Sequence, residues 1–450
     1  MTGSSVLVVR PPSDGRLPFL VLCGYFAVQA YTIPVATIGP GWPVWPTLPS
    51  MFAGLLVGSV LVWGRPPSRG ARRITGVLLA ILLGCVLSVV WWGVRHPSSF
   101  LAFSQAAQTS AFLLLRVVEA IAVFWAVSRV NLATGHTNAL GRAIAFALVV
   151  TSLTVTLTYL GSIPLASLAP QIPADPDVSG PWSRYHMLSG EGWGTVGYNH
   201  GYVAAHLLML LILRLQLRRT GLGIFDVALV ATTGVAILLT GSRAGLAAYA
   251  FFATAVAFRQ PRLALWIGAA AAASLLMFPA MGFDIAGPVE DVLDRQGALI
   301  APFRAENLAG RWEIWTLTIR TLAAEPLALL FGNGFGTAMD FVGHNAHMMP
   351  LQVLVELGIP GLMCFGALVV ATLRLLDKPN PSGRTLLWGT IALLLSSLTQ
   401  ETLYPSPAFG SFVALFLASL ALFENRSGGG AERRVVLEPA VQHQTTAAGD

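Results

Sequence analysis

The segment between Gly332 and Gly361 reads GNGFGTAMDFVGHNAHMMPLQVLVELGIPG. It joins a glycine-rich run to two histidines, His344 and His347, that come just before an apolar run typical of a buried helix. Polar groups beside such apolar runs are costly and are usually functional. We therefore expect both the fold class and the candidate site to depend on this part of the chain.

The composition of the whole chain predicts an integral membrane protein. Of the 450 residues, 55% are hydrophobic and 11% are charged, and the mean hydropathy is +0.68. One soluble core cannot bury that much apolar surface. A membrane-spanning helix needs about 20 mostly apolar residues, and about twelve segments qualify on that basis. The predicted spans are 17–39, 47–64, 74–92, 105–128, 143–162, 199–217, 221–240, 244–258, 263–281, 347–373, 385–403 and 407–423.

These spans predict an all-α, polytopic fold in which residues 17–423 form the transmembrane domain. The very short link between the seventh and eighth spans predicts that these two form a tilted hairpin. Residues 1–16 precede the first span. Residues 424–450 contain SGGG and QHQTT, show no apolar periodicity and are expected to form a disordered tail.

The positions of the cations predict the orientation of the spans. Short cytoplasmic loops carry the excess of Lys and Arg, and a cytoplasmic N-terminus places most of the 27 Lys and Arg residues inside. Both termini are then cytoplasmic, and the net charge of +6 needs no nucleic-acid partner, because insertion topology and attraction to anionic lipid account for most of it. The outer cations are Arg95, Arg184, Arg243, Arg295, Arg304, Arg311 and Arg320.

Two predicted outer loops, 163–198 and 282–346, are too long to be simple connections. The second has helical spacing from Ala309 to Ala324 and contains several acids and arginines. Long loops in compact proteins are usually lids or binding elements. Their common side predicts an active site that faces the periplasm or the cell exterior.

Four motifs lie between residues 194 and 361. They are Gly194-Thr-Val-Gly-Tyr-Asn-His200, Thr240-Gly-Ser-Arg-Ala-Gly245, Gly310-Arg-Trp-Glu-Ile-Trp315, and Gly332-Asn-Gly-Phe-Gly336 with His344-Asn345 and Glu356-Leu-Gly-Ile-Pro-Gly361. In order and spacing these motifs resemble those of the O-antigen ligase and O-antigen polymerase superfamily of bacterial membrane glycosyltransferases. The resemblance implies a GT-C-like fold in the inner (cytoplasmic) membrane, with the large periplasmic loop carrying short helices. It also implies an undecaprenyl-diphosphate-linked glycan as donor, an acceptor hydroxyl such as one on lipid A-core, and no nucleotide sugar.

A lipid-diphosphate donor needs cations. A guanidinium binds two phosphate oxygens at once and stays charged, so the resemblance makes Arg243 and Arg311 the predicted diphosphate ligands. Small neighbours of Arg243, from Gly241 to Gly245, are expected to let a phosphate approach backbone N–H groups, while Trp312 and Trp315 anchor the helix of Arg311. The alternatives are an Arg243 that reaches lipid headgroups and an Arg311 paired with a nearby acid.

His344 is the predicted general base. Its ordinary pKa near 6.5 suits removal of a proton from the acceptor hydroxyl, and Asn345 would orient it or bind a sugar. His347, three residues on along one helical face and a turn deeper, competes for the role. A structural hydrogen bond is the alternative for either histidine.

Further polar residues are weaker candidates for substrate binding. Arg184 lies near Trp182, and Asn199 and His200 either contact substrate or cap the sixth span. Arg116, deep in the fourth span, is three residues from Glu119, so an ion pair is the preferred interpretation and contact with the lipid diphosphate is the alternative. The outer acids lack metal-ligand spacing, so we expect chemistry without a metal or cofactor.

The acceptor stays open at this level. A ligase with a lipid A-core acceptor is slightly favoured because the loop before the histidines is the dominant one, while the loop 163–198 favours a polymerase. A protein O-oligosaccharyltransferase is a further alternative in the same superfamily. A lipid-linked glycan flippase or secondary transporter is the alternative from another class, although such proteins are expected to show inverted repeats and midplane acids.

Overall fold

The computed structural model describes most of the chain. The described residues are 16–35, 47–132, 135–163, 167, 194–196, 200–218, 222–258, 265, 268–269, 310–343, 345–377, 380–405 and 412–437, with side chains of the last helix described up to residue 426.

Within these ranges the fold is all-α, as predicted. A 3-10 turn, Val28–Ala30, follows the first helix, and the one β contact among the described residues is an isolated bridge between Pro34 and Thr47. The helices are α1 (Arg16–Ala27), α2 (Leu48–Trp63), α3 (Arg69–Arg95), α4 (Pro97–Leu101), α5 (Gln105–Val127), α6 (His136–Tyr159), α7 (His200–Gln216), α8 (Ile224–Leu239), α9 (Arg243–Ala257), α10 (Arg311–Ala324), α11 (Pro326–Phe331), α12 (Ala338–Val342), α13 (Met349–Leu376), α14 (Pro381–Ser397) and α15 (Phe412–Leu437).

Length and composition make four of the described helices, α3, α5, α6 and α13, able to cross a membrane. The first helix with its 3-10 turn, α2, α7, α8 and α9 are shorter apolar helices. Large apolar side chains face outward, such as Leu61 at 70% and Leu83 at 58% exposure, which lipid accepts and water penalises. The total of about twelve spans stays a prediction, because the ninth, 263–281, lies almost entirely outside the described residues.

The first predicted span, 17–39, is too long. Helical structure ends at Ala30, and the chain then runs extended, with the backbone N–H of Thr32 donating to the carbonyl of Thr195 at 3.0 Å. The Thr195 hydroxyl donates in turn to the carbonyl of Ala30 at 2.6 Å. These bonds satisfy backbone groups that a continued helix would have used, and Pro34 has no N–H to continue it.

Helix α7 lies at the centre of the bundle. Nearly every residue from Gly201 to Gln216 is buried, as expected of a helix that is packed on all sides, and α7 contacts α6, α8, α9, α14 and α15. Helices α8 and α9 form a hairpin, as predicted, in which the hydroxyl of Tyr249 donates to the carbonyl of Val230 at 2.7 Å. The tilt expected of this hairpin stays a prediction.

Polar contacts sort the loops to two ends of the bundle. At one end, the N–H of Arg65 donates to the carbonyl of Arg129 at 3.0 Å. At the other end, hereafter the site end, Arg95 pairs with Glu325 at 3.0 Å, and the segment around Thr195 contacts the end of the first helix. Each contact joins segments that the count of cations assigns to the same side.

Helix α13 is broken in the middle. Gly358 has a φ of +67° and a non-helical ψ, and Pro360 has no N–H to donate to the carbonyl of Glu356. The hydroxyl of Ser88 in α3 donates to that carbonyl at 2.5 Å instead. The glycine-rich run 332–336 packs against the same break, so the loop leading to the histidines is anchored within the bundle.

Helix α15 continues to Leu437, past the expected boundary of the disordered tail at residue 424. The side chains at the boundary are buried, with Glu424 and Asn425 each 6% exposed. The hydroxyl of Ser68 donates to Glu424 at 3.0 Å, and the Asn425 amide donates to the carbonyl of Val127 at 3.0 Å. These contacts hold α15 against α3 and α5 and explain the later end of the helix. Residues 438–450 lie outside the described residues.

Candidate active site

The starts of α7 and α9 meet at the site end. They pack so closely that a Cβ added to Gly245 would lie 2.3 Å from the Cβ of Ala204. The side chain of Gln400, in the loop between α14 and α15, lies directly on Gly201 of α7. The small residues of the motifs therefore bring two helix starts and a distant loop into contact.

Arg243 is the first residue of α9 and is half-buried. The Ser242 hydroxyl caps the helix by accepting from the N–H of Gly245 at 3.1 Å, and the N–H of Ser242 donates to the Thr240 hydroxyl at 3.2 Å. These two N–H groups are engaged inside the turn. The small residues shape the turn and the helix contact, and the approach of a phosphate to backbone N–H groups of this segment stays a prediction.

Arg311 opens α10, directly after Gly310 with its φ of +76°. Burial lowers the pKa of the Arg311 guanidinium, the negative charge of Glu401 raises it, and the positive charge of Arg243 lowers it. Two guanidinium groups and one carboxylate from three separate segments therefore share one electrostatic environment. An anion bound between two neighbouring cations is attracted by both and offsets the repulsion between them.

Glu401 is a site residue that the sequence reading missed. The predicted span 385–403 would place it within the bilayer, but α14 ends at Ser397 and Glu401 lies in the following loop with 4% exposure. Its carboxylate accepts a hydrogen bond from the backbone N–H of His347, and its Oε2 lies 3.3 Å from Nδ1 of His347. An acid so near the end of an apolar span was the available signal.

The chain at Ala346 and His347 is held from several sides. The Ala346 N–H donates to Oε1 of Gln352 at 2.7 Å, and the Ala346 carbonyl accepts from Nε1 of Trp315 at 2.8 Å. His347 itself has a φ of +50°, a left-handed conformation that is uncommon for a residue with a side chain and that tends to occur at functional sites. Since α13 begins only at Met349, the expectation that His347 lies within the helix is wrong.

A buried polar chain connects this loop to the break in α13. The Glu356 carboxylate accepts from the Gln352 amide at 2.7 Å and from the hydroxyl of Tyr404. It also lies 3.4 Å from the backbone N of Ala338. Because Gln352 bonds at its other end to Ala346, the helix break and the loop before α13 are parts of one hydrogen-bonded unit.

The structure places only some of the other predicted site residues. His200 is the first residue of α7, and Asn345 is exposed beside the loop. His344, Arg184 and Asn199 lie outside the described residues, so the roles assigned to them stay predictions.

Arg116 is paired with Glu119, as the preferred interpretation had it. The two groups lie 2.6 Å apart, and the Arg116 side chain is 3% exposed. Ser50 of α2 accepts from Arg116 at 2.6 Å and donates to Glu119 at 3.0 Å, and the ring of Phe112 lies 4.9 Å from the guanidinium carbon. The charge is balanced within the bundle.

Of the two tryptophans expected to anchor α10, one contacts the rest of the site. Trp315 binds the loop at Ala346, whereas Trp312 is 59% exposed. The expectation is therefore correct for Trp315, and Trp312 faces outward.

An apolar cleft lies between α3, α5, α13, α14 and α15. It reaches from Phe335 and Tyr404, near the site end, to residues deep in the spans. Its deep walls include Leu78, Ile121, Leu368 and Phe416. Most of its lining is aliphatic or aromatic, and Arg116 is the one charged residue among the described residues that line it.

No group of three or more His, Cys, Asp or Glu side chains in the described part of the chain could hold a metal ion. The expectation of a reaction without a metal stays a prediction.

Comparison with known families gives the class. Residues 227–366 match a family model described as O-antigen ligase, a segment that contains Arg243, Arg311 and His347. The match supports membership of the chain in the O-antigen ligase and polymerase superfamily, and at the family level indicates a membrane glycosyltransferase that works with a lipid-linked glycan and an acceptor. A search of curated proteins found no match for the chain.

Proposed function

We propose that this protein transfers a glycan from an undecaprenyl-diphosphate carrier to an acceptor hydroxyl at the periplasmic face of the inner membrane, as an O-antigen ligase does. The observation that carries the proposal is that Arg243 and Arg311, two cations from separate motifs, lie close enough for the positive charge of Arg243 to lower the pKa of the Arg311 guanidinium. A diphosphate is the kind of anion that two guanidinium groups bind well.

In the proposed reaction the two arginines hold the diphosphate of the donor. The acceptor oxygen forms a bond to the anomeric carbon of the glycan as its proton passes to a histidine. The bond between that carbon and the diphosphate oxygen breaks, and the electron pair leaves with the lipid diphosphate. The arginines stabilise the charge that develops on the leaving group, which needs no metal for this purpose.

The apolar cleft supports a donor that carries a lipid. One end of the cleft lies at Phe335 and Tyr404, and Tyr404 is part of the same loop as Glu401. A chain that occupied the cleft would place its polar end close to the arginines. A soluble nucleotide sugar has no lipid chain that could occupy such a cleft.

The proposed acceptor is a hydroxyl on lipid A-core. Lipid A-core is favoured because a ligase has one dominant outer loop, and residues 310–343 of that loop carry α10, α11 and α12. A polymerase, which would use a second lipid-linked glycan, and a protein O-oligosaccharyltransferase are tested in the same assay by supplying their acceptors.

The test is transfer of a lipid-linked glycan by purified protein, with donor binding measured separately. Arg243→Lys or Arg311→Lys keeps the positive charge but loses the bidentate hydrogen bonding to two phosphate oxygens. Donor affinity should therefore fall by about tenfold or more. Arg320→Lys, an exposed change in the same helix as Arg311, is the matched control and should bind donor as wild type does. Unchanged donor binding in Arg243→Ala and Arg311→Ala would end the proposal for these arginines.

The same preparation separates the enzyme from a flippase. A covalent product between glycan and acceptor supports the transferase. Movement of lipid-linked glycan across proteoliposomes without any product would instead favour the transporter.

A further inference from the structure

We infer that Glu401 is a positioning residue that orients His347, the competitor of His344 for the role of general base, as the proton acceptor in glycan transfer. The inference rests on the proposed function and deepens it. It names a residue outside the segment matched by the family model.

The Glu401 carboxylate makes two contacts with His347. One carboxylate oxygen accepts from the backbone N–H of His347, and the other lies 3.3 Å from Nδ1 of its ring. Glu401 thus holds both the backbone and the side chain of a histidine whose φ is +50°. A conformation of this kind persists only when its surroundings fix it.

The tautomer of His347 follows from which atoms of the carboxylate and the imidazole can donate or accept a hydrogen bond. A carboxylate accepts hydrogen bonds and cannot donate them, so its contact with Nδ1 selects the imidazole tautomer that carries its hydrogen there. Nε2 of the neutral ring then presents a lone pair, which is what a general base needs. The His347 side chain is 37% exposed, whereas that of Glu401 is 5% exposed, so a substrate can reach the histidine and not the carboxylate.

The charges near Glu401 are consistent with a role in proton transfer and not in the binding of donor. The charges of Glu401 and Arg243 both act on Arg311. Glu401 is negative and therefore repels a diphosphate, so it does not contribute to donor affinity. Its removal should therefore slow the transfer without weakening the binding of donor.

Glu401→Gln is the sharpest test. The amide oxygen still accepts from the backbone N–H of His347, but the NH₂ group then faces Nδ1 and donates to it. That bond favours the opposite tautomer, with hydrogen on Nε2, where no proton can be accepted. We expect kcat to fall by about 100-fold or more, with the dissociation constant of the donor not raised and the apparent Tm close to that of wild type.

The matched control is Glu325→Gln. Glu325 also lies at the site end, but its carboxylate pairs with Arg95 at 3.0 Å, and Arg95 is not one of the proposed site residues. This variant should retain the kcat of wild type. Glu401→Asp keeps a carboxylate and should recover part of the activity lost in Glu401→Gln.

His347→Asn provides a second route should Glu401→Gln fail to fold, because asparagine tolerates a positive φ. It should lose kcat to the same extent, and combining it with Glu401→Gln should add little further loss, as expected of residues that act as a unit.

Three results would overturn the inference: wild-type kcat in Glu401→Gln, wild-type kcat in His347→Asn, or a loss of donor binding that accounts for the lost transfer. These results leave the proposed function intact as long as wild-type protein forms product. Absence of product from wild-type protein with every lipid-linked donor supplied would count against the proposed function itself.

Discussion

The backbone N–H of Gly334 donates to the carbonyl oxygen of Glu356 at 3.2 Å. This bond joins the glycine-rich run to the break in α13 and explains why the two motifs occur together in the sequence. The carbonyl of Glu356 lacks a helical donor because Pro360 has no N–H, so the loop and Ser88 supply the donors. The two motifs are therefore one structural unit that supports the site.

The first prediction follows from the closeness of this contact. Gly332 has a φ of +78°, and a Cβ at this position would lie 2.2 Å from the carbonyl oxygen of Glu356. Gly332→Ala should therefore destabilise the protein by about 2 kcal/mol or more, seen as a lower apparent Tm in detergent. Gly366→Ala, in α13 with open space around the added carbon, should leave the apparent Tm unchanged. Equal effects of the two changes would contradict the proposed role of the loop.

The apolar pattern of the sequence predicted most helix positions, because helices that face lipid and helices buried in the bundle both need apolar side chains. Helix α5, expected at 105–128, spans Gln105–Val127, and the tight hairpin of α8 and α9 was readable from the short polar link between two apolar runs. The end of the first span was not readable. It depends on hydrogen bonds between Thr32 and a segment 164 residues away.

The family resemblance together with the chemistry of a diphosphate indicated Arg243 and Arg311, whose roles stay predictions, but Glu401 could not be assigned its partner. Its hydrogen bond to His347 crosses 54 residues of sequence, and the apolar run around it suggested a longer span. Gln352 escaped notice for a similar reason, since it occupies one polar position in an otherwise apolar helix and its bond to Ala346 depends on the turn before α13.

The second prediction concerns Arg116. Glu119→Gln removes the partner of a buried charge and should cost about 3–5 kcal/mol, whereas replacing both residues by Met should cost much less. Thermal unfolding of the three proteins in detergent measures the difference. The double variant should bind lipid-diphosphate donor as wild type does. A folded double variant that fails to bind donor would instead support direct contact of Arg116 with the substrate.

The third prediction is the orientation of the bundle. Arg73 and Asp340 are both exposed, and they lie in segments that the cation count assigns to opposite sides. After replacement of Cys23, Cys85 and Cys364 by serine or alanine, a single cysteine at residue 340 should react with an impermeant thiol reagent in right-side-out vesicles. A single cysteine at residue 73 should react only in inverted vesicles. The reverse pattern would place the site end in the cytoplasm and remove it from a periplasmic donor.

The last prediction separates the two tryptophans of α10. Trp315→Phe keeps most of the apolar surface but removes the N–H that donates to the carbonyl of Ala346 at 2.8 Å, a loss of about 1 kcal/mol. Because the residue after Ala346 is His347 in a left-handed conformation, a looser loop should reduce kcat more than it reduces the apparent Tm. Trp312→Phe, at a side chain 59% exposed, is the matched control and should change neither. Both quantities are measured on the same detergent-purified proteins. Wild-type kcat in Trp315→Phe together with a loss in Trp312→Phe would show that the exposed ring contacts substrate and that the hydrogen bond to Ala346 does not position the base.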